Sequence, residues 1–162
     1  MQDIEIKYTN HVSENVINEL DNKLKEVLQY FPELWDNTIK VGYTSTEIGK
    51  YISSRESSQI SYVRLYEGVS LHTIAHELMH SVQYIEDNIP MGERPCELWT
   101  IARDTSILDK PPMSYLSTPS KIKNNWHDWK DEVHRLAKQA IEERKNGRRC
   151  YIKWFKDQMK DL

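Results

Sequence analysis

The sequence has few cysteines and no long apolar run, and these absences exclude several classes of protein. Only Cys96 and Cys150 occur among its 162 residues, which is too few for a disulfide framework. No stretch approaches the run of about 18 apolar residues that a membrane-spanning helix needs, so we expect no membrane segment. The first residues, MQDIEIKYTN, lack a basic segment followed by an apolar one. We therefore expect no signal peptide and a cytoplasmic location.

The residues that are present suffice for an ordinary hydrophobic core. Hydrophobic residues make up 38% of the chain, including five Trp and nine Tyr, and charged residues make up 29%. This composition is polar but not typical of a disordered protein. Since one domain usually holds about 100–200 residues, the length predicts a single domain with, at most, a helical extension.

Charged residues are distributed unevenly along the chain. Residues 121–162 carry a net charge of +5, whereas residues 1–120 carry −8. We therefore predict a domain over residues 1–120 and a basic helical extension over 121–162 that packs on it. Acidic residues are interleaved with the basic ones in the extension, which favours a solvated helix face, and a basic arm for an acidic partner is the alternative.

Hydrophobic periodicity predicts strands first and then helices only. Alternating apolar residues predict short strands, and repeats of three or four residues predict helices. The predicted strands are Ile4–Tyr8, Ile39–Tyr43 and Ile60–Tyr66, and residues 44–58 are predicted to be a loop or irregular hairpin. The predicted helices follow Ser13, run from Ser70 to about Asp87, start near Arg94 and Pro95, and occupy much of residues 121–162. This order is typical of an α+β fold.

The segment that indicates chemistry is His76-Glu77-Leu78-Met79-His80, an H-E-x-x-H pattern inside a predicted amphipathic helix. Residues four apart lie one above the other on a helix, so both imidazoles point to one side. This spacing suits two nitrogens that bind one Zn²⁺. Glu77 lies about 100° round the helix from His76, where it can reach a metal-bound water rather than the metal.

A catalytic zinc ion needs a third protein ligand, and the segment that follows offers three candidates. Glu93 and Glu97 are four residues apart on one face at the start of the next predicted helix. The chain must reverse after the motif helix and return to the level of the metal, and the length of this connection suits Glu97 better than Glu93. Cys96 is the third candidate because thiolate binds zinc well, although it points to another helix face and a small buried residue is the alternative reading.

Residues His72–Asp104, about a fifth of the chain, resemble gluzincin metallopeptidases, in particular the small forms called minigluzincins. These enzymes share H-E-x-x-H and a second motif, E-x-x-x-D, on the returning helix. The resemblance implies a zincin-like fold, in which a small mixed or antiparallel sheet packs on a backing helix and the active-site helix. It also implies Glu93 as the third zinc ligand and Glu97 as an acid that hydrogen-bonds a ligating imidazole. This sequence has Glu97 where the family often has Asp, and Pro95 lies inside the motif.

The resemblance further implies a zinc-dependent hydrolysis of peptide bonds in a peptide or protein substrate. Glu77 would act as the general base and then as the general acid. A Tyr or His usually stabilises the oxyanion, and the candidates in this sequence are Tyr115, His72, His127 and His134. The strand at Ile60–Tyr66 would form the sheet edge along which an extended peptide pairs.

Three alternatives accompany this prediction. The protein could bind zinc without catalysis, as a regulatory module. It could cleave nucleic-acid-associated protein, because Trp126, Trp129 and Trp154 lie among basic residues and aromatic side chains can stack on bases. Finally, the basic extension could cover the cleft and keep the isolated enzyme latent.

Overall fold

The computed structural model describes residues 4–44 and 60–162, and it has an α+β fold. The predicted α+β class is therefore confirmed, and the zincin-like arrangement stays a prediction. The chain divides into two compact units, Met1–Asn88 and Ile89–Leu162, and each is described by itself. The domain boundary predicted after residue 120 stays a prediction, and the loop predicted at 44–58 falls almost entirely outside the described residues.

In its described residues, the first unit contains a three-stranded sheet and two α-helices. Its strands are β1 (Ile6–Tyr8), β2 (Thr38–Tyr43) and β3 (Ile60–Leu65), and its helices are α1 (Glu14–Leu28) and α2 (Leu71–Ile85), with a 3-10 turn at Pro32–Leu34. The apolar faces of α1, α2 and the sheet are fully buried at Leu20, Leu24, Ile39 and Leu78. The buried residues of α1 mostly recur every three or four positions, as the sequence predicts.

The sheet is parallel throughout its described strands, so the predicted mixed or antiparallel sheet is wrong. The strand order is β1-β2-β3, with Ile6 opposite Ile39 and Val41 opposite Val63. Parallel neighbours need a connection of about a dozen residues or more between them. Helix α1 lies in the connection from β1 to β2, and 16 residues separate β2 from β3. Alternation of apolar residues predicts a strand but not its direction, which the connections determine.

Side-chain hydrogen bonds fix the start of α2. Ser70 is the N-cap, and its side chain accepts a hydrogen bond from the backbone N–H of Thr73 at 3.1 Å. In the turn just before it, the carbonyl of Val69 accepts a hydrogen bond from Nζ of Lys23 at 2.8 Å, and Lys23 also pairs with Glu19 on α1. Because four N–H groups at a helix start lack partners within the helix, such a cap stabilises the end. These contacts tie the start of α2 to α1.

The second unit is helical in its described residues. Its α-helices are α3 (Glu93–Arg103), α4 (Ser120–Asn124), α5 (Trp126–Lys145) and α6 (Tyr151–Asp161), and short 3-10 turns occupy Thr105–Ile107 and Ser114–Leu116. Pro95 lies in the first turn of α3, where proline is tolerated because its missing N–H has no helical partner. Gly147 ends α5 with a φ of +95°, a backbone conformation that glycine adopts at little cost.

Aromatic residues join the helices of the second unit. The ring of Trp99 on α3 meets the ring of Tyr151 on α6 edge to face at 5.9 Å, and the guanidinium of Arg144 on α5 lies within 6 Å of both. The indole N–H of Trp126 donates to the carbonyl of Leu108 at 2.9 Å. These contacts hold three helices together around a buried core that includes Phe155. Within the described ranges, every helix is too short or too polar to cross a bilayer.

Candidate metal centre

Helix α2 carries His76, Glu77 and His80 in its middle turns. The rings of His76 and His80 lie on the same side of the helix, with centroids 4.9 Å apart and planes at 89°. This arrangement follows from the helical repeat, since residues four apart are neighbours on one face. Two imidazoles that meet in this way can direct one nitrogen each toward a shared ion.

The motif is set into the buried part of α2. His76 is 1% exposed and Glu77 is 5% exposed, while His72, one turn earlier, is fully buried. His80 is half-buried. Burying a polar or ionisable side chain costs free energy unless partners compensate it, and bound metal ions and hydrogen bonds are the usual compensation. Three such side chains are thus buried on one short stretch of α2, where partners must compensate the cost of burying them.

Gln83 belongs to this group, and sequence reasoning missed it. Its Oε1 lies 2.9 Å from Nδ1 of His80, and the residue is 4% exposed. The signal was available, because a residue three positions after His80 lies on the same helix face. A glutamine in this sequence context, however, does not by itself predict a contact with a histidine.

Helix α3 carries the three candidates for the third ligand in different environments. Glu93 is the first residue of the helix and is exposed, whereas Cys96 and Glu97 are fully buried. Oε1 of Glu97 accepts a hydrogen bond from the backbone N–H of Met113 at 2.8 Å. A carboxylate with no exposed surface needs donors or a cation to stabilise its charge.

His76 and His80 on α2 offer two nitrogens to one metal ion, and Cys96 on α3 offers a buried sulfur. Imidazole nitrogen and thiolate sulfur are both common ligands of zinc. Cys96 is a thiol and not half of a disulfide.

The residues proposed to stabilise an oxyanion lie in distinct surroundings. Tyr115 is 37% exposed in the 3-10 turn that follows Met113. His127 is exposed on the first turn of α5. His134, further along α5, donates from Nδ1 to the carbonyl of Ile101 at 2.7 Å, which ties its ring to the end of α3. Of the four candidates, His72 alone lies on the helix of the motif.

Two further features bear on substrates. Strand β3 pairs with β2 along one side and, among the described strands, forms one edge of the sheet, as predicted for Ile60–Tyr66. Trp126 is buried and Trp129 and Trp154 are half-buried, so these side chains contribute to packing in the second unit. Helix α2 packs against β3, which brings the motif and the sheet edge into one unit.

Comparison with known proteins returned no relative. A scan against protein-family models found no match, and neither did searches of the curated proteins and of the solved structures. The interpretation of the site therefore rests on its own residues and on the motif that they form.

Proposed function

We propose that this protein is a zinc-dependent peptidase with a zincin-like catalytic helix. The observation that carries the proposal is the pairing of His76 and His80, 4.9 Å apart on one side of a buried helix, with the buried carboxylate of Glu77 between them in sequence. Metal binding alone needs the two imidazoles. Burying the Glu77 carboxylate next to them costs free energy, and a hydrolytic site needs such a group to accept a proton. Its presence therefore supports hydrolysis.

The donor set on α2 fits a zinc ion. Neutral imidazole is the commonest nitrogen ligand of zinc, and two of them with one carboxylate form a ligand set of known zinc hydrolases. The third ligand comes from α3 under this proposal, with Glu93 and Glu97 as the candidates. The full burial of Glu97 supports it over the exposed Glu93, because a zinc ion would compensate the cost of a buried charge. Cys96 is the thiolate alternative, and it would favour a structural or regulatory site.

When bound, zinc would polarise the scissile carbonyl and activate a water molecule at neutral pH. Glu77 would accept the proton of that water on a carboxylate oxygen as the water attacks. The same carboxyl group would then donate the proton to the nitrogen of the leaving amine, which returns Glu77 to its starting charge. Its position in the middle of α2 keeps the carboxylate on a rigid element during both transfers.

The substrate class that fits the fold is an extended peptide. An edge strand leaves backbone N–H and C=O groups on one side, and a peptide can pair with them as an added strand. Strand β3 forms such an edge among the described strands and packs against α2. A peptide bound along β3 would therefore run beside the helix that carries Glu77.

The test is cleavage of a mixed peptide library by the zinc-loaded full chain and by two variants. Glu77→Gln removes the proton acceptor but keeps the size of the side chain, and it should lower the cleavage rate by about 10²–10⁴-fold at unchanged zinc content. Glu67→Gln is the matched control, because Glu67 is an exposed glutamate of the same unit, and its rate should match that of the wild type. Zinc binding with equal rates in wild type and Glu77→Gln would contradict the proposal and favour a non-catalytic zinc protein.

A further inference from the structure

Gln83 makes a specific contact with one of the proposed metal ligands. Both residues lie on α2, three positions apart, and Oε1 of the amide is 2.9 Å from Nδ1 of His80. Gln83 is 4% exposed, so its side chain is held in a packed environment and not by chance at the surface. Glutamine is seldom buried unless its polar atoms have partners.

The chemistry of this contact determines which nitrogen of His80 carries a proton. An amide oxygen only accepts hydrogen bonds, so the bond requires a hydrogen on Nδ1 of the imidazole. A neutral imidazole carries one such hydrogen, and Nε2 then keeps its lone pair. The contact therefore selects Nε2 as the nitrogen whose lone pair can bind a metal ion.

We propose that Gln83 is a positioning residue that holds His80 in the tautomer and ring orientation needed for metal binding. This inference rests on the proposed function, since it assigns His80 to a metal. Groups that accept the second N–H of a ligating histidine fix its orientation and raise its basicity. Gln83 does this from the same helix as the ligand, so its position is set by the 3.6-residue repeat and not by a loop.

A neutral amide suits this position because of its burial. A carboxylate would accept the same hydrogen bond more strongly, but it would place a negative charge at a buried position and cost more to desolvate. The zinc affinity of Gln83 variants should therefore depend on whether the new side chain can accept this hydrogen bond. Gln83→Glu keeps an acceptor, whereas Gln83→Met keeps the volume and removes the acceptor.

The experiment measures zinc affinity and the His80 tautomer in the full chain. Chelator competition with zinc alone should show an affinity about 10–100-fold weaker for Gln83→Met than for the wild type, and no weakening for Gln83→Glu. Long-range proton–nitrogen NMR on the metal-free protein should show hydrogen on Nδ1 of His80 in the wild type and a loss of this preference in Gln83→Met. Gln29→Met, at an exposed glutamine in the same unit, is the control and should match the wild type in both readouts.

Two results would overturn the inference. One is a Gln83→Met protein whose tautomer and zinc affinity equal those of the wild type. The other is a folded Gln83→Glu protein whose zinc affinity is reduced tenfold or more. This second result would overturn the inference even if Gln83→Met fails to fold. These readouts do not depend on cleavage. A wild-type protein that bound zinc in a Gln83-dependent way and cleaved no peptide would contradict the proposed function and leave the inference standing.

Discussion

Glu97, fully buried on α3, accepts a hydrogen bond on Oε1 from the backbone N–H of Met113 at 2.8 Å. This bond joins the helix that carries the candidate third ligands to the chain just before the Tyr115 turn. Under the proposed function, the carboxylate group of Glu97 serves both the local fold and the metal.

The first prediction separates the two candidate carboxylates. Glu97→Gln keeps an oxygen that can accept from Met113, so the fold should persist. The zinc affinity should fall by about 100-fold or more, because the loss of a ligand should cost at least as much as the loss of a group that only supports one. Glu93→Gln, at the exposed start of the same helix, should change the affinity by less than about threefold. The reverse order in chelator competition would assign the ligand to Glu93. A loss with Cys96→Ala and with neither glutamine variant would assign it to the thiolate.

The second prediction concerns metal removal. A ligand that binds only the folded state stabilises it by about 2.7 kcal/mol when its free concentration is 100 times its Kd. Zinc should therefore raise the melting temperature of the wild-type protein, and an excess of chelator should reverse the rise. In His80→Gln the same additions should produce no shift, because one of the two imidazoles is missing. Equal shifts in the two proteins would place the zinc elsewhere.

The third prediction concerns the start of the motif helix. Ser70→Ala removes the side-chain cap of α2 and should lower the free energy of unfolding by about 1 kcal/mol. Ser13→Ala is a matched control, since Ser13 is the N-cap residue of α1 but makes no side-chain cap bond. Its effect in urea unfolding should be clearly smaller. An equal loss in both variants would contradict the assigned role of Ser70.

The fourth prediction concerns acid stability. The backbone N–H of Ser106 donates to Asp104 at 2.8 Å and, with nearby positive charges, lowers the pKa of Asp104 below its usual value. A carboxyl group whose pKa is lower in the folded state stabilises that state above its unfolded pKa of about 3.9, and this contribution is lost as the pH falls through the folded pKa. Between about pH 5 and about pH 3, the free energy of unfolding of Asp104→Asn should therefore fall less than that of the wild type. Asp36→Asn, at an exposed aspartate, should follow the wild type in the same urea series.

The sequence predicted the elements of the fold better than their arrangement. The apolar repeat and the cap at Ser70 sufficed to predict α2 to within two residues, because both signals are local. The direction of the strands was not predicted. The alternation at Ile39–Tyr43 and Ile60–Leu65 is the same for parallel and antiparallel pairing, and the connections decide between them.

The candidate site was predictable only where its residues are close in sequence. His76, Glu77 and His80 form a local pattern, whose two rings the helix then brings together. The choice between Glu93 and Glu97 was open because residues four apart share a helix face, and burial distinguishes them where spacing does not. Gln83 was missed because an amide is chemically ordinary until its oxygen is seen beside Nδ1 of His80.

The most direct test of the central claim is anomalous diffraction at the zinc edge from crystals of the zinc-loaded protein. We expect one strong peak about 2.0–2.1 Å from a nitrogen of His76 and from a nitrogen of His80, with the Glu77 carboxylate near the ion but not bound to it. A peak bound to neither histidine, or a site in which Glu77 itself is a ligand, would contradict the account.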